Sequence, residues 1–143
     1  MGMEENTRQT QPAAQEKPNS RLKKEYNEPD LFLQQHWEDL MAYIYPYVLE
    51  DMKKSERAVL GADIRKMLWA VSDCIYDFAH RYGNRREQLD FIDHSAKKLM
   101  LRIRLAIKLK LISGKRQEEI GKRLVVIGKI VGGLKKTVYR GRV

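Results

Sequence analysis

The segment from Lys115 to Lys136, KRQEEIGKRLVVIGKIVGGLKK, admits few structures. Lys115, Lys122, Lys129 and Lys136 fall every seven residues. Seven residues carry an α-helix through two turns less about 20°, so on a helix these lysines form one nearly straight row. Ile120, Leu124, Ile127, Val131 and Leu134 recur at spacings of three and four, the pattern of a buried helix face. The two rows lie on broadly opposite sides. One side of this helix needs a protein core, and the other offers a positive rail to something outside.

Gly121, Gly128, Gly132 and Gly133 interrupt the same segment. A glycine inside a helix costs up to about 1 kcal/mol relative to alanine, so four of them point to close backbone approach by a neighbour. A rival reading makes RLVVIG a strand and GKIVGGLKKT a phosphate loop. Gly128 and Gly133 have the required separation, but the lysine of such a loop must directly follow the second glycine, and Leu134 stands there. The lysine row also has no explanation on a strand.

The chain has 143 residues, enough for one domain with a real core. No run approaches the length of a membrane span, and the polar start MGMEENTRQT lacks an apolar signal segment. Cys74 is the one cysteine, so no intramolecular disulfide is available. The expected location is the cytoplasm. Charge is unevenly placed. Residues 1–96 carry 13 Lys+Arg against 17 Asp+Glu, whereas residues 97–143 carry 15 against 2. A positive third on an otherwise acidic chain points to an anionic partner, nucleic acid above all, against the plainer reading of a solubilising surface.

In chain order, residues 1–28 read as a polar, disordered tail, with Pro12 and Pro18 and no apolar period. The bundle proper is expected over residues 29–137, and the basic end, residues 138–143, is expected to fray. A first helix from Pro29-Asp30 to about Met52 carries the row Leu33, Trp37, Leu40, Ile44 and Val48. Pro46 predicts a kink, flanked by Tyr43, Tyr45 and Tyr47 as core and boundary side chains or as part of a subunit contact. Ser55 is the expected cap of a second helix ending at Tyr82-Gly83, with Leu60, Ile64, Leu68, Val71, Ile75 and Phe78 inward. Asn84 and Glu87 form a capping box for a third helix running to about Leu111. Its row is Leu89, Ile92, Ala96, Leu99, Ile103, Ala106 and Ile107, and Leu101, Leu105 and Leu109 widen the apolar surface beyond one stripe. Such a helix is central in its domain or takes part in a subunit contact. Ser113 is the expected cap of the fourth.

Four helices with short connections make an all-α fold, an up-down-up-down four-helix bundle. Nothing places a catalytic nucleophile or base: there is no nucleophile elbow, no paired zinc histidines and no dinucleotide fingerprint. His36, His80 and His94 sit on separate segments, and Cys74 reads as a small core residue. Asp73, Asp77 and His80 share a helix side, but no second ligand cluster accompanies them. No metal, cofactor or enzymatic activity is expected.

The succession WEDLMAYIYPYV, KSERAVLGADIRKML, IRLAIKLKLIS and IGKIVGGLKK resembles the Avd-like proteins, the accessory variability determinants of diversity-generating retroelements. These are relatives of the four-helix-bundle proteins encoded in ribosomal-RNA intervening sequences. The similarity spans about residues 33–137. Its most specific piece is Arg104-Leu105-Ala106 with Leu111-Ile112-Ser113, followed by Ile127-Gly128-Lys129-Ile130-Val131-Gly132-Gly133; Tyr45-Pro46 agrees as well. The resemblance implies a homopentameric barrel with a basic surface that binds a reverse transcriptase and its template RNA, supports error-prone copying, and does no chemistry itself. One departure stands out. The family often carries two arginines one turn apart near the end of the third helix. Arg104 matches the second, but Met100 occupies the place of the first. Arg102, two residues on, is turned about 200° away on a helix and cannot replace it.

The residues expected to meet a nucleic acid or protein partner are therefore Lys115, Lys122, Lys129 and Lys136, supported by Arg116, Arg123, Lys97, Arg104 and Lys108. They would hold RNA, or an RNA–DNA hybrid, by its phosphates without reading bases. Some of them would instead pair with acidic groups across a subunit interface. The alternatives are a general RNA-binding bundle and a purely structural oligomer. A membrane-surface role is disfavoured, because the apolar face of the basic helix is already needed by the core.

Overall fold

The computed structural model describes residues 28–140. The tail expected over residues 1–28 thus lies outside the described residues, Glu28 excepted, as do residues 141–143.

The first helix, α1 (Glu28–Ile44), has Pro29 in its first turn, where the missing N–H has no helical partner to lose. Leu33, Trp37, Leu40 and Ile44 are buried, as is Val48 beyond the helix proper. At Pro46 the structure widens the helix: Tyr45–Leu49 is a π-helical turn, and the Glu50 N–H donates to the Tyr45 carbonyl at 3.1 Å. Proline has no N–H for the carbonyl four residues back, and its ring crowds that carbonyl. The wide turn thus sits where the proline interrupts the α-helical ladder.

The second helix, α2, covers residues 54–79. It begins as Lys54–Glu56, passes through a second π turn at Arg57–Gly61 and continues as Ala62–Ala79. Ser55 is not its cap. Lys53 holds the extended position before the helix and offers no side-chain bond. The polar closure comes from the other side. Arg57 donates from Nη2 to the carbonyls of Glu50, at 3.1 Å, and Met52, at 3.0 Å, so a cation closes the C-terminal end of the preceding helix.

The third helix, α3 (Arg85–Lys108), starts at the expected cap: Asn84 Oδ1 accepts from the Glu87 N–H at 2.9 Å, and this half of the capping box forms without the return bond from Glu87 to the Asn84 N–H. The fourth, α4 (Lys115–Tyr139), is one unbroken helix, which removes the strand-and-phosphate-loop reading. Gly114 occupies its cap position, while Ser113, one residue earlier, accepts from the Lys115 N–H at 3.3 Å. Helix continues through Val138 and Tyr139, into the stretch expected to fray.

Two connections share one geometry. Arg81 and Lys110 adopt left-handed φ of 59° and 61°. After α2 the Tyr82 N–H returns to the Asp77 carbonyl and the Arg81 N–H to the Phe78 carbonyl. After α3 the Leu111 and Lys110 N–H groups return to Ala106 and Ile107 in the same way. This is the Schellman closure, built on long basic residues where glycine is the usual choice. Gly83, expected to stop α2, also has positive φ, but two residues after Arg81.

Each helix packs on two neighbours: α1 on α2 and α4, and α3 on α2 and α4. The short connections make successive helices antiparallel, which is the expected bundle. Ile64, Leu68, Val71, Ile75 and Phe78 of α2 fill its centre with Leu89, Ile92, Leu99, Ile103 and Ala106 of α3 and Ile120, Ile127, Val131 and Leu134 of α4. Leu60 and Leu124 are only partly buried against it. Trp37 brings one polar atom into this core, and its indole N–H donates to the Leu68 carbonyl at 3.0 Å. At one end the wholly buried Asp30 lies 3.4 Å from Arg85, tying the start of α1 to the start of α3. Arg85 also donates to the Phe78 carbonyl and stacks 3.9 Å from the centre of the Phe78 ring.

Candidate nucleic-acid interface

The helical wheel of α4 separates its cations. Lys115, Lys122, Lys129 and Lys136 are all exposed, and none is in an ion pair with the described residues. Each lysine is followed or preceded by a residue rotated about 100° around the helix, and that rotation decides its fate. Arg116 and Arg123, one step on, fall on the flank that packs against α1. Arg116 lies 4.6 Å from the centre of the Tyr47 ring and Arg123 5.1 Å from that of Tyr43. Arg123 is also 2.9 Å from Glu119, one turn earlier. These two arginines are thus part of the α1–α4 seam and do not share the lysines' row.

Lys135, one step back from Lys136, falls on the opposite flank, toward α3. It lies 3.0 Å from Asp93 and 3.5 Å from Asp90. Tyr139 donates its hydroxyl proton to Asp90, and Arg86 sits 4.2 Å from the Tyr139 ring. Burial alone would raise the Asp93 carboxyl, but hydrogen bonds from Lys135 and Lys97 outweigh it and hold Asp93 below the usual range. Burial likewise opposes the Lys135 charge, and Asp93 more than compensates, so the ammonium is held above its ordinary value. Lys135 escaped the sequence reading because it is off the seven-residue row. Its signal was the pair Asp90 and Asp93 one turn apart on a helix antiparallel to α4.

On α3, Lys97 is exposed but pairs with Asp93 at 3.3 Å, while Arg104 and Lys108 are exposed with no ion pair among the described residues. Arg102 bears out the rotation argument: it leaves the Met100 side of α3 altogether and meets Asp63 of α2 at 2.5 Å. Met100 instead lines a shallow groove of about 320 Å³ between α3 and α4, with Ala96, Gly121, Leu124, Val125 and Gly128. The close neighbour expected at the α4 glycines is missing within the protomer. A Cβ built on Gly121, Gly128, Gly132 or Gly133 would meet nothing within 4 Å.

Apolar surface is open in two further places. Leu101, Leu105 and Leu109 are 46%, 48% and 66% exposed along the outer side of α3. Between α1 and α2, a depression is lined by Glu38, Met41, Ala42, Tyr45, Trp69 and Ser72. There the Trp69 indole N–H donates to the Tyr45 hydroxyl at 2.7 Å, although Trp69 is 53% exposed. Tyr45 thus faces α2, while Tyr43 and Tyr47, two residues to either side, face α4. Charge divides along the same line. Residues 28–79 carry 5 Lys+Arg against 10 Asp+Glu, and residues 80–140 carry 17 against 5.

Burial, with Asp77 nearby, pushes the Cys74 thiol up to about 11, which keeps it protonated and unreactive. Among the described residues no group of three His, Cys, Asp or Glu side chains is arranged to hold a metal ion. None of the described helices is long and apolar enough to cross a membrane.

What the geometry offers is a helical bundle with a row of lysines that has no ion pair among the described residues, and with uncovered apolar surface. No curated protein and no solved structure matches the chain. A family model does, over residues 31–138, which takes in all four helices up to the last turn of α4. That span contains residues 33–137, where the chain resembles the Avd-like proteins, and the chain belongs to the bAvd-like family.

Proposed function

We propose that this protein is a non-enzymatic accessory factor of a diversity-generating retroelement. Its α4 lysine row holds the template RNA, or an RNA–DNA hybrid, by the phosphates while the reverse transcriptase docks on the same assembly. The observation that carries the reading is the row itself. Four exposed ammonium groups on one rigid helix have no carboxylate partner among the described residues, and phosphates are the ligand such a row fits. Arg104 and Lys108 on α3 extend the positive surface. The exposed leucines of α3 and the Trp69 depression support a homo-oligomer, for which the family implies a pentamer. The same exposed leucines favour a second reading, a structural oligomer that binds protein alone.

The test is to recover the tagged protein from cells carrying its gene, wash at moderate salt, and identify bound protein and RNA together. A reverse transcriptase recovered with one discrete RNA supports the retroelement role. Mixed or ribosomal RNA without that enzyme leaves a general RNA-binding bundle, and no RNA at all leaves the structural oligomer.

A further inference from the structure

Four flat groups stand in sequence along the α1–α4 seam: Arg123, Tyr43, Tyr47 and Arg116. The order follows from two spacings. Tyr43 and Tyr47 are one turn apart on α1 and its π turn, and Arg116 and Arg123 are two turns apart on the antiparallel α4. The tyrosine rings lie 4.9 Å apart with a 40° tilt, and each carries one guanidinium at 4.6 or 5.1 Å. The two ends of this stack differ. At one, Glu119 neutralises Arg123. At the other, Arg116 has no carboxylate partner among the described residues, and Tyr47 keeps 45% of its surface exposed. Lys115 is adjacent and exposed. At the same end of the bundle a cleft of about 450 Å³ is lined by Lys53, Lys110, Leu111, Ile112, Ser113 and Gly114, with Asp51 as its acidic member.

We infer that the Tyr47–Arg116 end of this stack is a platform for an unpaired nucleobase, so that the protein prefers single-stranded nucleic acid to a duplex. The inference rests on the proposal that the lysine row holds phosphates, and adds what that row does not supply. Phosphates are common to single strands and duplexes, and a row of ammonium groups attracts both. An exposed ring with a guanidinium beside it attracts π faces, which a single strand offers at every base and a duplex hides inside its own stack. The stack needs no base edge to be read, so it tolerates any sequence. Lys115, next to Arg116 in the chain and exposed, would add a phosphate contact to the same strand.

The experiment compares a mixed-sequence RNA oligonucleotide with the same strand annealed to its complement, by fluorescence anisotropy, on the full chain and on Tyr47→Leu and Tyr47→Phe. Leucine keeps apolar volume at an exposed position and removes the π face; phenylalanine keeps the face. The expected result is tighter binding of the single strand by the unaltered chain, weakened about fivefold or more by Tyr47→Leu. Tyr47→Phe retains the preference, and duplex affinity is unmoved by either change. Equal affinity for both forms, or a Tyr47→Leu chain that keeps its preference, overturns the platform and leaves the lysine row standing. Failure to bind either form overturns both.

Discussion

Replacing the α4 lysines tests whether the row acts as separate phosphate contacts. Successive lysines are seven residues apart, about 10.5 Å along the axis at 1.5 Å per residue. That is close to the Debye length at about 0.1 M salt, so each charge acts nearly on its own. With about 0.7 counterions released per contact on a single strand, four lysines contribute about 3 to the slope of log affinity against log salt. Between about 50 and 200 mM salt they account for a fall of about fiftyfold. Removing the charges at Lys122→Gln and Lys129→Gln together should halve this contribution, reducing their share of the fall to about sevenfold. The assay is anisotropy of a labelled RNA strand across a salt series. Lys97→Gln should change the slope less than a row lysine does, because Asp93 already holds that ammonium. If glutamine at all four row positions leaves the slope of the unaltered chain unchanged, the row is not the phosphate site.

The other expectations concern the bundle. Asp30→Leu leaves the Arg85 charge buried without its partner and should cost about 3 kcal/mol in denaturant unfolding, most of it recovered when Arg85→Met is added. The contact of Lys135 with Asp93 sets a pH window. Asp93 is held below its ordinary value, so its contribution is present above about pH 4 and lost as pH falls through the lower folded value; Lys135 is held above its own, so its contribution persists below about pH 10.4 and is lost above it. The difference in melting temperature between the unaltered chain and Lys135→Met should therefore hold near neutrality and shrink toward both extremes. Lys110→Gly relieves a left-handed residue and should stabilise by up to about 1 kcal/mol, read by chemical denaturation. Gly128→Ala has open space for its methyl group and should stabilise the protomer by up to about 1 kcal/mol; a loss of assembly by sedimentation would show that another copy approaches this backbone.

The core rows were legible because burial follows the helical period. Leu33, Trp37, Leu40 and Ile44 could be placed inward from spacing alone, and so could Ile120, Ile127, Val131 and Leu134. The cap at Asn84 was equally local. Features that depend on a neighbouring helix were hidden. Arg116 and Arg123 repeat at the same seven-residue interval as the lysines beside them, and nothing in α4 says which flank meets α1. Ser55 matched a cap by type, but the polar closure at that corner came from Arg57 reaching back to the end of α1. The proline signalled strain without specifying its form, since widening a helix and bending it both answer the same missing N–H. The α4 glycines misled for a related reason: their spacing implied a close neighbour, and the protomer does not supply one.

The division of charge between the helix pairs has a consequence for symmetry. The acidic pair, α1 and α2, holds the Trp69 depression, and the basic pair, α3 and α4, holds the exposed leucines. A two-fold dimer centred on either pair alone would set like against like, acid on acid or base on base. Copies that join the acidic pair of one to the basic pair of the next meet instead with unlike faces, each keeping its unused face for the following copy. Such contacts never exhaust themselves in a pair. They end only when the turn from one copy to the next brings the last back to the first, so a small change in that angle alters the number of subunits without altering a single contact residue.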